Sequence, residues 1–156
     1  MRKIQALVAA SLAILGAQTT TAQSGPSEIC YYLSYIVYFD ADSSVITPEG
    51  VSVLQNVVEA YRDCSGLYVQ MSGHTDRKDT QSYNVDLSWR MVKNVREFLI
   101  ARGIPDDKVQ TDAYGEFRPQ VDTADGVSEP KNRRVELYFG PEEFLAQIEK
   151  VKLLVN

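Results

Sequence analysis

The sequence predicts an α/β sandwich in which a small mixed sheet carries its helices on one face. Three observations point there. Short apolar and aromatic runs of strand type alternate with two longer segments of helical period. Each helical segment has its own start and stop residues, and two more strand-like runs follow the second helix with no helix between them. The order is β-α-β-α-β-β.

The first strand is expected over Tyr35–Phe39, a run rich in strand formers, with the following loop at Asp40–Ser44. Thr47-Pro48-Glu49 reads as N-cap, first helical position and acidic first turn. Val51, Leu54, Val57, Val58 and Tyr61 then recur at helical spacing, and Gly66 lies just past the end, so helix one runs roughly from Pro48 to Arg62. Leu67–Ser72 alternates apolar and polar residues, and Gly73 is expected to begin a turn. Strand, helix and strand would form a right-handed parallel βαβ unit with its two strands as neighbours.

Helix two is expected to start near Thr80–Ser82 and to stop at Arg102-Gly103-Ile104-Pro105, with Leu87, Met91, Val95, Phe98 and Leu99 as its core stripe and Val92 alongside. Lys108–Tyr114 and Val135–Phe139 supply the last two strands. The polar loop between them, carrying Pro119, Gly126 and Pro130, is long enough to be functional or mobile. After Gly140-Pro141, residues Phe144, Ile148, Val151 and Val155 fall on one face of an amphipathic helix, which could pack on the domain or dock a partner.

A chain of 156 residues, 44% apolar and 10% aromatic, can build one core. Arg2 and Lys3, the apolar run from Ile4 to Ala17 and the polar stretch after it have the layout of a secretory signal, with cleavage expected after Ala22. The apolar run is shorter than the roughly 20 residues a membrane span needs. The expected organisation is a signal peptide over 1–22, a linker over 23–34, the domain over 35–140 and a helical tail over 141–156. Losing Arg2 and Lys3 would take the formal charge from −5 to −7, which repels nucleic acid. Export would place Cys30 and Cys64 where a disulfide persists; a bridge between them and two separate thiols both fit.

Residues 72 to 96 identify the chain. Gly73-His74-Thr75-Asp76 is followed by Tyr83-Asn84 and Leu87-Ser88, and later by Ala113-Tyr114-Gly115-Glu116 and Asn132-Arg133-Arg134-Val135-Glu136. In this order the blocks resemble the OmpA-like peptidoglycan-binding domain over about residues 35 to 140. Two positions depart from that pattern: Asp79 stands where the family has glycine and Met91 where it has arginine. The resemblance implies a periplasmic, outer-membrane-associated domain that grips the diaminopimelate of the peptidoglycan stem peptide non-covalently. It places Asp76 at the ligand's amino-acid head and carries Thr80, Asn84 and Leu87 over as contact positions.

A diaminopimelate head is a zwitterion, so its site needs an anion for the ammonium and a cation or several N–H donors for the carboxylate. Asp76 can be the anion, and the start of helix two offers unpaired N–H groups. Thr80 either caps that helix or touches ligand. Arg90 is no substitute for the missing arginine, because one residue is about 100° of helical turn; its expected partner is Asp86. Met91 falls on the apolar stripe and reads as core packing. Loss of a charge-assisted bond, about 1.5–3 kcal/mol, corresponds to binding roughly ten- to a hundred-fold weaker. Asp79 adds a second carboxylate, which repels a ligand carboxylate.

Phe39 and Asp40, at the end of strand one, either wall the pocket or serve core packing and loop capping. His74 is expected to share a face with Asp76 and to orient the loop by hydrogen bonding, since a lone histidine without companion ligands is weak grounds for a metal. Arg133 and Arg134 read as a salt bridge or a solvated pair rather than ligand contacts. Trp89 borders the polar face of helix two and would anchor a partner if exposed. No serine sits in a nucleophile-elbow setting, so the expected protein is a binding module without cofactor or metal. The alternative to wall binding is a structural or protein-interaction module of the cell envelope.

Overall fold

The computed structural model describes residues 33–64 and 66–142. The expected leader, Cys30 and the tail beyond Glu142 lie outside them. Four strands and two long helices follow the anticipated order: β1 (Ser34–Tyr38), α1 (Pro48–Asp63), β2 (Tyr68–His74), α2 (Gln81–Ile100), β3 (Val109–Gly115) and β4 (Arg134–Gly140). Thr47 caps α1 by accepting a hydrogen bond from the Gly50 N–H at 3.0 Å. After α2 the chain turns through Gly103 at φ 96°, and the Ile104 N–H returns to the Leu99 carbonyl at 3.3 Å.

The sheet order is β1-β4-β2-β3. The expectation that the first two strands are neighbours is therefore corrected: β4 lies between them, antiparallel to both, and the adjacent parallel pair is β2 with β3. A helical crossover fixes the direction of the returning strand but not its neighbour. Burial decides the rest, because Val135, Leu137 and Phe139 of β4 are at most 1% exposed and belong in the middle of the sheet.

A second correction concerns Gly73, which does not begin a turn. β2 continues through Gly73 and His74, and its register with β3 shifts between these two residues. A Cβ on Gly73 would lie 2.5 Å from Val92 Cγ2 and 2.7 Å from the Ser88 carbonyl oxygen. The absent side chain lets α2 lie close against β2.

Both helices cover one face of the sheet, where Val37, Met71, Val135 and Leu137 meet Leu54, Val57, Met91, Val92 and Val95 in a single core. Met91 is 1% exposed and packs as the apolar stripe predicts. Strand alternation turns Gln70, Ser72 and His74 of β2, and Arg134, Glu136 and Tyr138 of β4, to the helix-free face. Cys64, buried at the end of α1, is not a free thiol. No helix among the described residues is long and apolar enough to cross a membrane.

Candidate functional site

Tyr38, His74 and Arg134 align in one row across the sheet. The segments that pass this edge, Phe39–Asp40 after β1, Thr75–Thr80 after β2 and Ser128–Arg133 before β4, therefore converge. Within this rim the Asp76 carboxylate is 5% exposed, and its Oδ2 accepts three hydrogen bonds: from Arg133 Nη1 at 2.8 Å, Ser128 Oγ at 2.9 Å and the Glu129 N–H at 3.1 Å. Arg133 is held just as firmly. Its Nε donates to the Phe39 carbonyl at 3.2 Å and its Nη1 also reaches Ser128 Oγ at 2.9 Å. The ion pair thus joins the ends of three segments that are distant in sequence.

In front of Arg133 opens a cleft of about 570 Å³ whose walls include Phe39, Asp40, Thr47, Glu49 and Lys131. It carries charges of both signs. Asp76 Oδ1 and Arg133 Nη2 make no hydrogen bond among the described residues, so each partner of the ion pair keeps a polar atom uncommitted. Such a site can receive a ligand with its own separated positive and negative groups.

Phe39 and Asp40 line this cleft, Phe39 buried and Asp40 exposed. Thr80 caps α2, its Oγ1 accepting from the Tyr83 N–H at 3.4 Å. Asn84 is buried, and its amide donates to the Asp79 carbonyl at 3.1 Å and to Glu116 Oε2 at 2.5 Å, fixing the start of α2 to the turn after β3. Leu87 is a core residue, 5% exposed, and the Asp79 side chain is exposed. Arg90 makes no ion pair with Asp86; its guanidinium lies 5.5 Å from the centre of the Tyr83 ring. Trp89 is 48% exposed, beside a second cleft of about 460 Å³ between α2 and the edge strand β3.

His74 is the main correction among the site residues. The bulge and strand alternation carry its ring to the helix-free face, 2% exposed, where it stacks on Tyr114 at 5.5 Å and does not line the Asp76 rim. It orients nothing by hydrogen bonding. Neither ring nitrogen has a partner in hydrogen-bond geometry. Burial first, and then the Arg134 guanidinium, push its pKa down to about 4, while Glu136 and the nearby Arg118 carbonyl oppose that shift. Its 4.0 Å approach to Glu136 is therefore no ion pair at neutral pH.

The residues that sequence reading missed are on the long loop. It is tied down rather than loose: the Gly126 N–H donates to the Arg77 carbonyl at 2.6 Å, and Arg77 Nη1 donates to the Thr123 carbonyl at 2.6 Å. Asn132, fully buried, receives the Gln120 and Val121 N–H groups at 2.8 Å each and returns a bond to the Val121 carbonyl at 2.7 Å. The Arg133 salt bridge fits one of the two anticipated readings, but its partner could not be named from sequence. Loop length was the only available signal for Ser128. Among the described residues no group of three or more His, Cys, Asp or Glu could hold a metal ion.

The OmpA family model matches residues 38–133. The peptidoglycan-associated lipoprotein of Pseudomonas aeruginosa is 36% identical over 100 residues, which cover 64% of this chain and 59% of that protein. The peptidoglycan-binding protein ArfA of Mycobacterium tuberculosis is 30% identical over 101 residues, 65% of this chain and 31% of that protein. Among solved structures, the peptidoglycan-associated lipoprotein of Burkholderia pseudomallei superposes with a TM-score of 0.63 at 26% identity, covering 68% of this chain and 90% of that one. The matched stretch spans between 29% and 60% of the length of these and similar curated relatives.

Proposed function

The chain belongs to the OmpA family, and from that premise we propose that it binds peptidoglycan non-covalently in the periplasm, beside the outer membrane, through the amino-acid head of a diaminopimelate stem peptide. The observation that carries this reading is Arg133, held by the buried Asp76, in the wall of a cleft of mixed charge. The free edge of Arg133 takes the ligand carboxylate, while Asp76 Oδ1 and Asp40 face the ammonium. Named relatives support the ligand class, since all three carry peptidoglycan in their names. Met91 adds no charge to the site, so the carboxylate depends on Arg133, with Lys131 as the other cation of the cleft wall. Binding is weaker than at a site with a second arginine, by about ten- to a hundred-fold.

Sedimentation with purified diaminopimelate-containing sacculi tests this. The mature protein should pellet with the sacculi, Asp40→Asn should pellet less, and Asp76→Asn should remain in the supernatant while keeping a cooperative thermal transition. Wild-type protein that stays in the supernatant would overturn the reading. An interaction module of the cell envelope would then be the better account, with the exposed Trp89 beside the α2–β3 cleft as its observation.

The family and fold say nothing of the cysteines. We propose that Cys64 is bridged to Cys30, the chain's only other cysteine, which would tie the segment before β1 to the end of α1. Mass spectrometry of alkylated, unreduced protein should find neither thiol modified, and finding both modified would exclude the bridge.

A further inference from the structure

On the helix-free face of the sheet lies a separate cleft of about 350 Å³, whose floor and walls include Ser72, His74, Arg118, Arg134, Glu136 and Tyr138. Most of its charge is already spoken for. Arg134 Nε donates to Glu136 Oε1 at 2.7 Å, and its Nη1 and Nη2 donate to the carbonyls of Asn132 and Arg118 at 3.4 and 3.3 Å. Glu136 Oε2 accepts from the Tyr138 hydroxyl at 3.1 Å. Two groups are left over. Arg118 rests on the Tyr114 ring at 4.0 Å, and its guanidinium makes no hydrogen bond or ion pair among the described residues. His74 is almost wholly buried, yet both its ring nitrogens lack partners. The ring lies in the wall of the cleft with its nitrogens closed off from solvent, so it reports on what enters beside it.

We propose that this cleft is a second binding site, for a carboxylate, which Arg118 pairs through its open guanidinium edge beside the His74 ring. The chemistry follows from what is left open: a planar cation with parallel donors matches the two oxygens of a carboxylate. Glu136, neutralised by Arg134, does not exclude such an anion. Pro119 and Tyr138 leave room for a small apolar group behind the carboxylate. The site does not involve Asp76 or Arg133 and stands apart from the wall-binding reading. A free organic acid and the C-terminus of a peptide present the same group.

His74 is the only histidine, so its imidazole gives a single resolved NMR signal in the folded protein. Titrating the protein with acetate, with N-acetylalanine and with N-acetylalanine amide at neutral pH separates the sources. A saturable shift of the His74 signal with either acid and none with the amide supports the site. Acetate binding alone identifies a free acid, and tighter binding of N-acetylalanine identifies a peptide terminus. Arg118→Gln should weaken that binding about tenfold or more, whereas Asp76→Asn, which disables the rim, should leave it unchanged. The same signal followed against pH gives a second readout. With Arg134 and Glu136 on β4, Arg118 on the loop and Tyr114 on β3 around it, the imidazole titrates at about 4 when the cleft is empty, and a bound anion should move that value upward. No saturable shift at millimolar acid, the same shift with the amide, or an unaltered response in Arg118→Gln would each overturn the proposal.

Discussion

Replacing Arg133 with alanine should lower the free energy of unfolding by about 3–5 kcal/mol, as expected when one member of a buried ion pair is removed and the other stays behind. The side chains of Arg133 and Asp76 are only 11% and 7% exposed, so solvent cannot compensate the carboxylate left alone. Asp76 would keep the Ser128 hydroxyl and the Glu129 N–H, but no cation, and the Phe39 carbonyl would lose its donor. Arg133→Lys should recover part of the loss, since it restores charge without the fork that reaches both Asp76 and Phe39. The double variant Asp76→Asn/Arg133→Gln should cost less than its two single variants together, because it leaves no lone charge whereas each single variant leaves one. Urea unfolding of Arg133→Ala, Arg133→Lys, the double variant and its two single components measures all of this. A loss below about 1 kcal/mol for Arg133→Ala would mean that the pair behaves like a surface contact and does not hold the rim together.

Gly73→Ala should be nearly as damaging, about 3 kcal/mol, at the upper end of what overpacking a core usually costs. The added methyl would meet Val92 Cγ2 at 2.5 Å and the Ser88 carbonyl oxygen at 2.7 Å. Val92 could rotate away, but Ser88 contributes backbone, so α2 itself must move off the sheet. Ser88 also anchors the neighbouring strand, where its Oγ accepts from the Gly115 N–H at 3.0 Å while donating to the Val85 carbonyl at 2.8 Å. Displacing α2 therefore strains the turn after β3 and the Thr75–Thr80 loop together. Wall binding should fall along with stability in this variant, unlike Asp40→Asn, which lies on the exposed rim. Thermal unfolding with a midpoint equal to that of the wild type would show that the helix has room to spare.

The elements themselves could be read from one dimension because local chemistry fixes them. Thr47-Pro48-Glu49 starts α1 and Gly103 ends the turn after α2, as cap and stop residues require, and the apolar stripe through Leu87, Met91 and Val95 faces the core. Where the sequence reading failed, a long-range pairing had decided. The alternating pattern of Leu67–Ser72 identified a strand but not its extension through Gly73, which only the close approach of α2 explains. His74 was assigned to the wrong side of the rim because a register shift cannot be seen from residue types alone.

Hydrophobic period, capping residues and motif spacing are properties of neighbouring residues, so the fold class, the element order and the region of a ligand loop were legible along the chain. Long-range packing set the remainder: β4 separates β1 from β2, Asp76 pairs with Arg133, 57 positions away, and His74 faces a different cleft. These depend on which buried charge finds which partner across the chain. The cost of leaving such a charge unpaired is paid in three dimensions, where distance along the sequence has no bearing on it.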